Sequence, residues 1–228
     1  MGRAGAHPRA AVGGLSVADG LTVEALTAWV GEFARSVAEH RGELTELDSA
    51  IGDADHGTNL DRGMSAAVAA LEAAPPADAA ALLKQVGMTL VSKVGGASGP
   101  LYGTFFLRMA GALGSDPADD KALARALRAG LDGVVARGKA EPGDKTMVDA
   151  LGPACDALDA ALAGGQPLDQ ALAAAAEAGR RGRDATVPLV ARKGRASYLG
   201  ERSADHEDPG AASAVLLVQA AATALPAA

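Results

Sequence analysis

Apolar residues recur every three or four positions along almost the whole chain, with charged or small residues between them. Leu26, Trp29, Val30, Phe33 and Val37 fall on one face of a first helix. The spacing predicts a second over residues 60–71, closed by Pro75-Pro76. A third opens at a capping Asp78 and carries Leu82, Leu83, Val86, Leu90, Val91 and Val94. Further helices are predicted over residues 101–113, 119–137, 146–162, 168–190 and 211–225. No segment alternates as a half-buried strand does. The expectation is one all-α domain over residues 22–228, an antiparallel bundle of eight helices, after a flexible N-terminal tail over 1–21.

Composition supports this fold. Hydrophobic residues make up 49% of the 228 residues but aromatics only 3%, so Ala, Leu and Val must build the core, which suits close helix packing better than a sheet. A net charge of −7 speaks against a general nucleic-acid binder. The single Cys155 excludes an internal disulfide and suits a reducing cytoplasm. No apolar run is long enough to span a bilayer, and the start lacks the apolar core of a signal peptide. A cytoplasmic protein without membrane or nucleic-acid partner is expected. Against the acidic balance, residues 180–202 hold seven basic and two acidic side chains. They form either a solvated face or an anion site.

Glycines and small polar residues gather in four breaks: 52–59, 95–99, 138–146 and 194–210. Several precede helix starts, where free backbone N–H groups favour anions. If alternate helix ends face the same way, these breaks line one rim of the bundle. The first break follows Asp48 and brings in Asp53 and Asp55, with Gly52 and Gly57 around them. Neighbours on a helix face lie three or four apart, so Asp53 and Asp55 converge only in a turn. Three carboxylates without a nearby cation call for a hard metal ion. An all-oxygen set points to Mg²⁺ or Ca²⁺ rather than zinc. An EF-hand fails, because Gly57, Thr58 and Met64 stand where a ligand, a glycine and a glutamate are needed. The plainer reading is a turn in which Asp53 or Asp55 caps the next helix.

The other breaks are weaker alone. Gly95-Gly96-Ala97-Ser98-Gly99 lets backbone approach a phosphate, with Ser98 or Thr104 as a hydroxyl donor, or is simply a tight turn. The run from Gly138 to Thr146 imitates a phosphate-binding P-loop, but Asp144 interrupts it and no strand precedes it. Lys139 and Lys145 remain either phosphate contacts or surface charges, and Asp144 a helix cap. Gly194 and Gly200 bracket Arg195 and Tyr198 in either a flexible connector or a loop shaped to close over a ligand.

Taken together, LDSAIGDADHGTNLDRG, VGGASGPLYGTFF, RGKAEPGDKTM and ARKGRASYLGERSADHEDPGA resemble the nucleotide-binding L subunit of dihydroxyacetone kinase, over residues 22–225. The resemblance implies an eight-helix antiparallel barrel with the nucleotide site formed by loops at one end. It implies that Asp48, Asp53 and Asp55 hold two Mg²⁺ ions bridging the phosphates of ADP or ATP. His56, Gly57, Thr58 and Asn59 would touch nucleotide, Thr58 mainly through its backbone. Ala97 and Ser98 would contact phosphate, and Gly138 and Met147 would pack on the base. Arg195 would meet phosphate or ribose, and Asp208, Pro209 and Gly210 would close the site. The implied partners are a K subunit that holds dihydroxyacetone on a histidine and a phosphohistidine carrier, the M subunit, with room for a homodimer. In one version ADP stays bound and is rephosphorylated in place. In another ATP exchanges freely, and the substrate is another ketose or a sugar acid. A third reading is a nucleotide-sensing partner of a transcription regulator. With no substrate domain before residue 22, the separate-subunit version is expected.

Overall fold

The computed structural model describes residues 21–113 and 119–225. Most of the expected tail (1–20) lies outside these residues, while Leu21 packs into the core. The described residues form nine α-helices: α1 (Val23–Glu39), α2 (Arg41–Ile51), α3 (His56–Ala73), α4 (Ala79–Lys93), α5 (Ser98–Leu113), α6 (Asp120–Gly138), α7 (Val148–Ala163), α8 (Leu168–Asp184) and α9 (Pro209–Ala224). A 3-10 turn over Arg195–Ser203 precedes α9. Thr22, Asp78, Asp119 and Asp208 cap α1, α4, α6 and α9, each accepting a backbone N–H three residues on.

Eight of these helices close a ring. Each of α3 to α9 packs on its chain neighbour, and α1 packs on both α3 and α9. The Trp29 indole on α1 fastens the closure by donating to the Leu217 carbonyl of α9 at 3.0 Å. Packing is antiparallel: Gly87 faces Gly103 and Leu107 across α4–α5 while Val94 faces Gly99, and Gly130 and Gly138 face Phe105 and Leu101 across α5–α6. A Cβ on Gly87 would stand 2.9 Å from the Gly103 carbonyl oxygen, so these backbones approach as only glycine permits. Few aromatics suffice because they share the barrel centre: Trp29 and Phe33 of α1 meet Phe106 and Tyr102 of α5, and Phe105 meets Phe106 edge-on.

Two departures from the apolar spacing matter for the loops. The first helix breaks at His40, whose backbone leaves the helical values, and α2 resumes with Leu44 in the main core. The basic segment after Gly194 is a 3-10 turn rather than a flexible connector. Ile51 at the end of α2 buries against Ala191, Ala196 and Leu199, which seats that turn beside the carboxylates. The Ser203 hydroxyl accepts from Ala191 N–H and donates to the Gly200 carbonyl. Gly194 and Gly200 supply the positive φ the turn requires. No helix of the described residues is long and apolar enough to cross a membrane.

Candidate functional site

At one end of the barrel a cleft of about 170 Å³ is floored by the starts of α3, α5, α7 and α9 and walled by residues 193–196. All four glycine-containing breaks border it. The N-termini of alternate helices therefore converge, and their unpaired N–H groups favour an anion. Among the helices lies a gap of about 20 Å³ with wholly apolar lining, room for a single water that nothing would bond.

The carboxylate turn is built so that one aspartate serves the fold and the others face outward. Asp48 Oδ2 accepts the N–H groups of Asp55 and His56 at 2.8 and 3.1 Å and so caps α3. Gly52 is required there, since a side chain would collide with the Asp48 carboxylate folded back over it. Asp55 occupies the N-cap position without capping anything. Ala54 takes a left-handed φ of 61°, a strained conformation that turns Asp53 and Asp55 toward Asp48. One oxygen of each of the three lies within 4.8 Å of the others. Asp53 also pairs with Arg195 Nε at 2.9 Å, across an exposed edge.

Of the other residues singled out in the sequence, His56, Ala97, Ser98, Met147, Asp208, Pro209 and Gly210 line the cleft beside Arg195. Gly57, Thr58, Asn59 and Gly138 do not. Gly57 is pressed against Arg41 and Thr45 of α2, and Thr58 is exposed. Asn59 is buried, its carbonyl accepting from Arg62 at 2.7 Å. Gly138 sits behind Leu101, which does line the cleft. In the basic segment Arg180, Arg181 and Arg183 pair with Glu177, Asp184 and Glu207 on the surface, and only Lys193 and Arg195 reach the cleft.

Lys145 borders the cleft but is not a surface charge. It is 1% exposed, and its ammonium lies among the carbonyls of Thr186, Leu189, Val187 and His206 at 2.5–3.3 Å. Burial lowers its pKa from the ordinary lysine value. Asp144 accepts the Glu141 N–H and pairs with Arg192, while Asp149, unremarked in the sequence, receives the N–H groups of Gly143 and Thr146. Lys145 and Asp144 join the 138–147 loop to the segment leading into the 3-10 turn, while Asp149 ties that loop to the start of α7.

His56 is buried, and its ring nitrogens meet two hydroxyls, Nδ1 to Ser98 and Nε2 to Ser213, each at 2.9 Å. Burial pulls its pKa down against the opposing charges of Asp48 and Asp55. Tyr102, which also lines the cleft, was marked in the sequence only by its place in the run after the glycine loop, and Ser213 not at all.

Asp208 is pushed up from 3.8 to about 7, first by burial, with the Ala211 N–H opposing and Asp149 adding to the rise. Between these values the native protein keeps a proton that the unfolded chain has released, so this group's contribution to stability falls as pH rises. Asp208→Asn keeps a capping oxygen and cannot ionise. In ligand-free protein it is expected to flatten the decline between pH 4 and 7 and to exceed the parent at pH 8 by on the order of 2 kcal/mol. Thermal unfolding of both proteins across that range is the check, and parallel profiles would contradict the assignment.

The family model described as the DAK2 domain matches residues 50–223. The chain is 49% identical over 177 residues to the PEP-dependent dihydroxyacetone kinase ADP-binding subunit DhaL of Escherichia coli, covering 77% of this chain and 84% of that one. It is 46% identical over 192 residues to the ADP-binding subunit DhaL of PEP-dependent dihydroxyacetone kinase 1 of Listeria innocua, covering 84% and 91%. The crystal structure of the C. freundii dihydroxyacetone kinase in complex with AMP-PNP and Mg²⁺ superposes with a TM-score of 0.66 at 26% identity, over 97% of this chain and 38% of that longer one. The chain belongs to the DAK2-domain family, among the dihydroxyacetone kinase L subunits.

Proposed function

We propose that this chain is the nucleotide-carrying subunit of a cytoplasmic, phosphoenolpyruvate-dependent dihydroxyacetone kinase. It passes a phosphoryl group from a phosphohistidine on an M subunit, through ADP that it retains, to dihydroxyacetone on a K subunit. The observation that carries the reading is the triad of Asp48, Asp53 and Asp55 where four helix N-termini meet. A hard, all-oxygen donor set with few protein ligands fits Mg²⁺ whose remaining positions go to phosphate and water. The relatives' names, which specify ADP binding, and the AMP-PNP and Mg²⁺ of the C. freundii complex support it.

Asp55, half-buried and unpartnered, is the main ligand; Asp48 contributes the oxygen that α3 leaves free, and Asp53 the third. Two bound Mg²⁺ ions would neutralise phosphate charge and hold the transferring group in line. The amides of Ala97 and Ser98 lie at the start of α5, placed for phosphate oxygens. Arg195 shifts from Asp53 to phosphate or ribose once metal takes that carboxylate. Met147 and Leu101, both in the lining, offer the base an apolar surface, with Gly138 behind Leu101. His56 acts at the site through Ser98, while Gly57 and Asn59 keep the start of α3 packed on α2 and against the glycine loop. Asp208, Pro209 and Gly210 close the far side. No general base is required of this chain, because such transfer needs positioning and charge neutralisation.

Reconstitution with K and M subunits tests the reading. Phosphoenolpyruvate-driven turnover with ADP kept on the chain is expected. Turnover from free ATP alone, with none from the carrier, would instead make this an exchangeable-ATP kinase half.

A further inference from the structure

From Ser98 a line of polar groups runs through His56 and Tyr102, which also border the cleft, to Ser213 in the barrel. Ser98 Oγ meets His56 Nδ1 at 2.9 Å, His56 Nε2 meets Ser213 Oγ at 2.9 Å, and Ser213 Oγ meets the Tyr102 hydroxyl at 2.7 Å. Tyr102 is 1% exposed and Ser213 fully buried. An alanine-rich helix and an aromatic cluster have no packing need for either hydroxyl, and burying them costs free energy unless both are bonded. Tyr102 has Ser213 as its hydrogen-bond partner, so the phenol proton points there. Ser213 has one proton of its own, and two acceptors within reach: His56 Nε2 at 2.9 Å and the Gly210 carbonyl at 3.1 Å.

We propose that Tyr102 and Ser213 are positioning residues for the nucleotide site, acting through the tautomer of His56 to aim the Ser98 hydroxyl proton at an anionic ligand oxygen. The wiring follows from counting protons. An anionic oxygen brings none, so Ser98 must donate to it. Its lone pair then faces His56 Nδ1, which must carry the ring proton. Nε2 becomes the acceptor and takes the proton of Ser213, whose oxygen accepts from Tyr102. Every bond then points the same way, Tyr102 to Ser213 to His56 to Ser98 to ligand, and a one-directional chain is strengthened by polarisation. Without an anion the other arrangement is complete too: Ser98 donates to Nδ1, Nε2–H donates to Ser213, and Ser213 donates to Gly210. Binding an anion therefore selects the Nδ1–H tautomer.

The inference rests on reading the cleft as a nucleotide site, and the test separates the two. Protein stripped with a chelator is titrated with Mg·ADP by calorimetry. Tyr102→Phe retains the ring that packs on Phe33 and removes only the hydroxyl. It is expected to weaken Mg·ADP binding about fivefold. In a Ser98→Ala background the same change should have no effect, because the chain no longer reaches the ligand. Nitrogen-15 spectra of the His56 ring should show the proton on Nδ1 in the Mg·ADP-bound protein. Equal weakening in both backgrounds, no weakening in either, or a proton on Nε2 in the bound state would overturn the proposal. Failure of the unaltered protein to bind Mg·ADP would overturn the nucleotide reading itself.

Discussion

Asp55→Ala is expected to weaken Mg²⁺-dependent ADP binding by about 100-fold or more, the upper range for disturbing even the outer supports of a metal site. The ligand-free fold should be unaffected. Asp55 sits at the N-cap of α3 without a side-chain bond, because Asp48 does the capping. Removing one of three converging carboxylates also relieves their mutual repulsion, so ligand-free melting should stay level or rise, within about 0.5 kcal/mol. Asp48→Ala should differ in kind, losing both metal binding and the cap, the latter worth about 1 kcal/mol. Calorimetric titration together with thermal unfolding of both variants distinguishes the roles. An Asp55→Ala protein that binds Mg·ADP like the parent would remove the metal assignment.

Lys145→Met is expected to be the most destabilising single change considered, by about 2–5 kcal/mol, since each buried carbonyl left without a donor costs about 1–3 kcal/mol. The thioether is close in size but donates nothing, leaving the carbonyls of Leu189 and His206 without the ammonium; those of Thr186 and Val187 keep the Leu189 and Asp205 N–H groups at 3.1 and 2.8 Å. Because these carbonyls belong to the segment that carries Arg195, loss of order should begin there. Urea unfolding would give the magnitude, and hydrogen exchange should show residues 185–208 opening before the barrel helices. A variant that unfolds like the parent would show that the carbonyl cage contributes no net stability.

The barrel was legible because eight amphipathic helices repeat one spacing and four carry recognisable capping residues. The break between α1 and α2 was not, since Leu44 and Ile51 continue the apolar spacing of α1 and no proline or cap marks His40. For the 3-10 turn the glycines left a flexible connector and a shaped loop both open, because what orders it is burial against Ile51, far away in the chain. At the site, the convergence of Asp48, Asp53 and Asp55 could be argued from repulsion and turn geometry. Which of them caps α3 required the folded backbone. Lys145 misleads in sequence because a lysine after Gly-Asp evokes phosphate, whereas the carbonyls that enclose it come from 41 to 61 residues later. Tyr102 and Ser213 stand 111 residues apart on helices whose patterns are otherwise apolar, so only their contact reveals them.

The central claim is that the carboxylate triad keeps a nucleotide on the protein through Mg²⁺. Native mass spectrometry of the purified, desalted chain tests it most directly. The expected mass is that of the chain plus one ADP and two Mg²⁺, with both nucleotide and metal leaving together on chelation. A chain that flies alone, or one that retains ADP after its metal has been removed, would contradict the account.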